Sequence, residues 1–171
     1  VFYAVLSRRG YFNISELATF RRIDSRLQGH PTPHEGLEGI RMASGSLGQG
    51  LSTAIGAALT KKLNDDDSIV YTLHGDGELQ EGQVWEAFMY ASGKQVDNLI
   101  ATIDYNQKQI DGTIDEVLPI GNLTAKLEAF DWVVLEELEG NNVEAIINTL
   151  NRAKELTGKK KPVAIILHTE M

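Results

Sequence analysis

The sequence predicts an α/β domain with a doubly wound, mainly parallel sheet and helices on both of its faces. Three observations predict it. Short apolar runs rich in β-branched residues recur at 68–73, 99–103, 132–135 and 162–167, each of strand length. Between them lie helical patterns, of which 81–95 and 141–153 are the clearest, so strands and helices alternate. Such alternation feeds right-handed crossovers, which make neighbouring strands parallel.

Composition narrows the class. The chain has 171 residues, enough for one domain with a sizeable core. A net charge of −8 argues against a polyanion-binding surface, so no nucleic acid partner is expected. With no cysteine there are no disulfides and no thiol chemistry, which fits a cytoplasmic enzyme. No apolar stretch approaches membrane-spanning length, so no membrane partner is expected. The chain starts inside an apolar helical pattern (Val1, Phe2, Val5, Leu6) and stops just after a strand. The expectation is a single domain over 1–171, truncated at both ends.

Taken in order, 1–28 reads as two short helices, the second capped by Asn13 or Ser15 and striped by Leu17, Phe20 and Ile23. Residues 29–45 form a loop holding Pro31, Pro33, Gly29, Gly36, Gly39 and Gly45, and long loops of this kind are commonly functional. His30 and His34 have the spacing of helical zinc ligands, but the prolines preclude a regular helix, so no zinc site is expected. Ser46 has capping-box spacing to Gln49 and opens a helix with Leu47, Leu51, Ala54, Ile55, Ala58 and Leu59 at helical intervals. Gly48, Gly50 and Gly56 would weaken that helix unless close approach requires them. The run 68–73 reads as a buried strand, and 81–95 as a helix presenting Trp85, Phe88 and Met89. After the strand at 99–103 comes a loop, 107–112, ending in an Asp-Gly turn. A helix at 123–130, a strand at 132–135 and a helix capped by Asn141 follow. That last helix carries Val143, Ile146, Ile147, Leu150 and Ala153 inward. The lysines at 159–161 make a solvated turn before a final buried strand.

The chemistry concentrates where the first strand ends, at Gly75-Asp76-Gly77. Two glycines let backbone approach an anion closely and leave N–H groups to donate. The carboxylate between them would repel phosphate unless a divalent cation lay between, and Mg²⁺ binds through a few protein oxygens plus phosphate oxygens. Asp104-Tyr105-Asn106 follows the next strand, so Asp76 and Asn106 fall side by side at the edge where open α/β sheets bind ligands. Alone, Gly-Asp-Gly is an ordinary turn; paired with the later Asn it is far more specific.

That pairing resembles the thiamine diphosphate motif, and the surrounding words resemble transketolase. They are Gly75-Asp76-Gly77-Glu78-Leu79-Gln80-Glu81-Gly82-Gln83, Gln109-Ile110-Asp111-Gly112, Ser44-Gly45-Ser46-Leu47-Gly48-Gln49-Gly50 and Gly29-His30-Pro31. The resemblance implies the thiamine diphosphate-binding fold. It further implies transfer of a two-carbon ketol unit from a ketose phosphate to an aldose phosphate, with thiamine diphosphate and Mg²⁺ (or Ca²⁺ or Mn²⁺) as cofactors. By it, His30 faces the thiazolium and the sugar. Gly45 and Leu47 lie against the rings, and Gly77, Asp76 and Asn106 grip the diphosphate and metal. The Lys108 carbonyl is the expected third metal ligand. Glu81 and Glu86 would lie at a subunit interface linking two active sites. His74 reads as structural. The resemblance also implies that a glutamate from another domain, absent here, activates the cofactor. The chain would then need a pyrimidine-binding partner domain or subunit, in a homodimer or heterotetramer, and would be inactive alone. Sister thiamine enzymes (a deoxyxylulose-phosphate synthase or a 2-oxoacid dehydrogenase subunit) and a non-catalytic binding subunit of the same fold are the alternatives.

Overall fold

In the computed structural model, which describes residues 1–170, the chain packs as two compact units, residues 1–46 and residues 47 onward. The smaller unit opens with α1 (Phe2–Arg8), which buries Tyr3 and Leu6 and leaves Val1, Phe2 and Val5 exposed. Tyr3 and Leu6 join Phe12, Leu27, Leu37 and Ile40 in a small core, with Leu17 packed against it. The expected second helix is a 3-10 turn, Ile14–Thr19, with Asn13 accepting the Ser15 N–H as its cap. Three residues per turn do not sustain the predicted stripe, and Arg21 and Asp24 then take positive φ. Phe20 is therefore exposed, and Ile23 is 94% exposed.

The larger unit runs α2 (Gln49–Leu63), β1 (Val70–Gly75), α3 (Gly82–Gly93), β2 (Leu99–Tyr105), β3 (Lys108–Gln109), β4 (Gly112–Thr113), α4 (Ile114–Val117), α5 (Leu123–Ala129), β5 (Val133–Glu137), α6 (Val143–Leu156) and β6 (Val163–His168). β3 and β4 make a small antiparallel hairpin where only a loop was expected. The other strands form one parallel sheet in the order β1-β2-β6-β5. Alternate residues serve opposite faces, as strand geometry requires. Leu99, Ala101 and Ile103 of β2, with Ala164 and Ile166 of β6, pack against residues of α2, α3 and α5. Ile100, Val163, Ile165 and Leu167 face α6. The sheet is thus doubly wound, with helices on both faces. Among the described residues, no helix is long and apolar enough to cross a membrane.

Several local expectations are corrected. β1 is an edge strand and not a buried one: α6 packs on β5 and β6, leaving Tyr71 and Leu73 exposed. α3 buries Val84, Ala87, Phe88 and Ala91, which turns Met89 to solvent. α2 begins later than the capping-box spacing suggests, with Gly48 at its N-cap instead of Ser46. α6 is capped by Asn142, whose side chain accepts the Glu144 and Ala145 N–H groups. That register keeps Ile146, Leu150 and Ala153 inward but exposes Val143 and Ile147.

Candidate functional site

Parallel pairing sets Gly75 opposite Asp104, so the chain leaves β1 and β2 at the same edge of the sheet. There the Asp76 N–H donates to the Asp104 carbonyl at 3.2 Å. The Asp76 side chain turns inward and is 1% exposed. Its Oδ1 accepts the Gly77 N–H at 2.8 Å and its Oδ2 accepts the Gln107 N–H at 2.5 Å. Burial pushes this carboxyl above the usual Asp range; the Gln107 and Gly77 donors oppose that, and the Asp104 charge adds to it. Among the described residues neither an arginine nor a histidine forms an ion pair with Asp76. A buried carboxylate with only two neutral donors is costly, and a cation would offset that cost. Each Asp76 oxygen has a lone pair left after its one hydrogen bond. The donor set therefore fits a hard cation.

Asn106 follows directly at the end of β2. It is half-buried, and its Oδ1 accepts the Lys108 N–H at 2.9 Å, the closed form of an Asx turn. Lys108 opens the β3–β4 hairpin opposite Thr113. Gly77 lies under this hairpin, since a Cβ there would come 3.1 Å from Gln109 Cβ. Asp76, Gly77 and the segment from Asn106 to Gln109 thus meet at one place.

The turn before α2 meets the same loop. Gly48 sits in the left-handed region, φ 79°, and its N–H donates to Glu78 Oε1 at 2.8 Å. The Leu47 carbonyl accepts Gln83 Nε2 at 3.1 Å, while the Leu47 side chain is 55% exposed. Behind Glu78 lies buried His74, with Nδ1 3.2 Å from Glu78 Oε2 and Nε2 2.8 Å from Thr72 Oγ1. Burial alone would raise the Glu78 carboxyl, but its bonds to His74 and Gly48 outweigh this and hold it below the usual Glu range.

In the smaller unit, His30 and Gly45 come together. Gly45 takes φ 114°, and a Cβ there would fall 2.6 Å from His30 Nδ1. The Ser44 N–H closes the loop on the Pro31 carbonyl at 3.0 Å. Glu81 stands exposed at the N-cap of α3 without a side-chain cap bond, and Glu86 is exposed further along α3. Glu78, Gln83 and the Gln107 N–H were not anticipated, because their partners lie far off in sequence.

Residues 1–171 match the family model of the transketolase thiamine diphosphate binding domain. The chain belongs to this family. Among its transketolase relatives is the 6-deoxy-6-sulfo-D-fructose transketolase subunit of Clostridium sp. (strain MSTE9), 42% identical, with 98% of this chain matching 59% of that one. An apulose-4-phosphate transketolase subunit of Phocaeicola vulgatus is 39% identical, with 98% of this chain matching 58% of that one. The chain therefore spans 59% and 58% of the lengths of these two relatives. The solved transketolase from Leishmania mexicana superposes with a TM-score of 0.87 at 30% identity, covering 98% of this chain and 26% of that one.

Proposed function

We propose that this chain supplies the diphosphate and metal half of a transketolase active site, in an enzyme that moves a two-carbon ketol unit from a ketose phosphate to an aldose phosphate. The observation that carries this reading is the buried Asp76 carboxylate, held by two backbone N–H groups at the sheet edge beside Gly77 and the Asn106–Gln109 segment. Asp76, Asn106 and the Lys108 carbonyl would hold Mg²⁺, with Ca²⁺ or Mn²⁺ as substitutes, and the Gly77 backbone would meet the diphosphate. Among the described residues there is no group of three or more His, Cys, Asp or Glu side chains that could hold a metal. A metal here would take amide, carbonyl and ligand oxygens beside a single carboxylate. Thiamine diphosphate, when bound, supplies the nucleophilic carbon that cleaves the bond beside a ketose carbonyl. His30 would donate to substrate oxygens, Gly45 and Leu47 would line the rings, and Glu81, with Glu86, would meet a second subunit.

Two relatives are named as subunits, so activity is assigned to an assembly with a pyrimidine-binding partner. The substrates in their names, 6-deoxy-6-sulfo-D-fructose and apulose-4-phosphate, belong in the donor panel along with common ketose phosphates. The test is calorimetric titration of thiamine diphosphate into the chain, with Mg²⁺ or with chelator, with and without the partner, beside Asp76→Ala. Metal-dependent binding that Asp76→Ala abolishes is the expected result. No binding even with the partner present would sink the assignment.

A further inference from the structure

The turn that presents Leu47 is held by two side chains of the segment following β1. Glu78 Oε1 accepts the Gly48 N–H at 2.8 Å, and Gln83 Nε2 donates to the Leu47 carbonyl at 3.1 Å. Gln83 Oε1 also accepts Gln49 Nε2 at 2.9 Å, so one amide spans the turn and the first residue of α2. The fit is close, since a Cβ on Gly48 would fall 2.9 Å from Gln83 Nε2. Glu78 is itself oriented from behind by His74, whose side chain is 1% exposed, and His74 by Thr72. A buried, fully hydrogen-bonded pair of this kind fixes geometry more than it adds stability.

Two carboxylates of one loop thus point to two different neighbours. Asp76 ties down the segment after β2 through Gln107, and Glu78 ties down the turn before α2 through Gly48. Leu47 makes no use of this order within the larger unit's core: its side chain is 55% exposed. We infer that Glu78, oriented by His74 and assisted by Gln83, is a positioning residue that fixes the Leu47–Gly48 turn so that Leu47 meets the rings of the cofactor. Glu78 touches no reacting atom. The inference rests on the proposed binding of thiamine diphosphate, and it separates the ring-contacting part of the site from the diphosphate-and-metal part.

The separation is testable in the assembled enzyme, full-length chain plus partner, by comparing two probes. Thiamine diphosphate uses both parts, whereas inorganic pyrophosphate with Mg²⁺ uses only the second. Glu78→Ala should weaken thiamine diphosphate by about tenfold, the scale of one lost charge-assisted hydrogen bond, and leave pyrophosphate unchanged. Glu78→Gln, which can still accept from Gly48 and donate to His74, should restore most of the loss. Should Glu78→Ala fail to fold, Gln83→Leu removes the other strut and is read in the same way. Unchanged affinity for thiamine diphosphate, or a parallel loss for both probes, would overturn the inference. A wild-type enzyme that binds neither probe overturns the function itself, and one that binds both while Glu78→Ala changes nothing overturns only the positioning role.

Discussion

At Gly45 the backbone holds φ 114°, and the space a side chain would need is taken by the His30 ring, 2.6 Å from an ideal Cβ. An alanine there would strain the backbone and push the imidazole away at once. Gly45→Ala should cost about 1–3 kcal/mol of stability, the range for a residue forced into a sparsely populated backbone region. The His30 ring signals in an NMR spectrum should shift with it. Stability and His30 signals both left at the wild-type values would show that the loop has room to rearrange. The sequence marks Gly45 and His30 separately, by resemblance, but nothing in their spacing shows that one packs on the other. Asp76 is different: its flanking glycines and the strand before it are local signals, legible without coordinates, while its grip on the Gln107 N–H across the loop is not.

α6 shows how a cap decides which residues face inward. Asn142, not Asn141, accepts the first free N–H groups of the helix, at 3.0 and 3.3 Å. Asn141 instead ties the segment after β6, accepting the Glu170 N–H at 2.6 Å. Asn142→Ala should therefore cost about 1 kcal/mol in chemical denaturation, the usual worth of an Asn cap. Asn141→Ala should leave helix stability unchanged and speed amide exchange near Glu170; the reverse pattern would return the cap to Asn141. The buried strands β2 and β6 are legible because they are mostly apolar, as strands covered on both faces are. β1 is not: its apolar residues read as buried, yet whether a strand lies at an edge depends on sheet order, which no local window contains. The helix face of α3 and the start of α2 were misread for the same reason. Phe88 stacks edge-on against Trp132 at 4.9 Å, and Gly48 is held by Glu78, both contacts far apart along the chain.

Across the larger unit, one carboxylate joins three segments that the sheet alone does not connect. Asp97 Oδ1 meets Lys62 Nζ, near the end of α2, at 2.6 Å, and its Oδ2 accepts the Lys160 N–H at 2.8 Å. Its carbonyl accepts the Gly158 N–H at 2.9 Å, so the turn before β6 is fastened to the start of β2. Burial would raise the Asp97 carboxyl, but the Lys62 and Lys160 bonds outweigh it and hold it below the usual Asp range. A depressed value means that the unfolded chain takes up the proton first as pH falls. The stabilisation is therefore complete above the unfolded value, about 3.9, and fades as pH drops through the lower folded value. Because the Lys62 side chain is 41% exposed, solvent screening keeps the effect modest. Asp97→Asn should lose about 1 kcal/mol at neutral pH, measured by urea unfolding, since an amide keeps an acceptor for Lys160 but has no charge for Lys62. The gap between wild type and variant should stay constant from about pH 7 to pH 5, narrow below about pH 4, and be lost only once pH falls through the depressed folded value. If the gap stays the same down to the acid end, the difference does not come from the carboxylate's charge, and the pH-linked role of Asp97 is wrong.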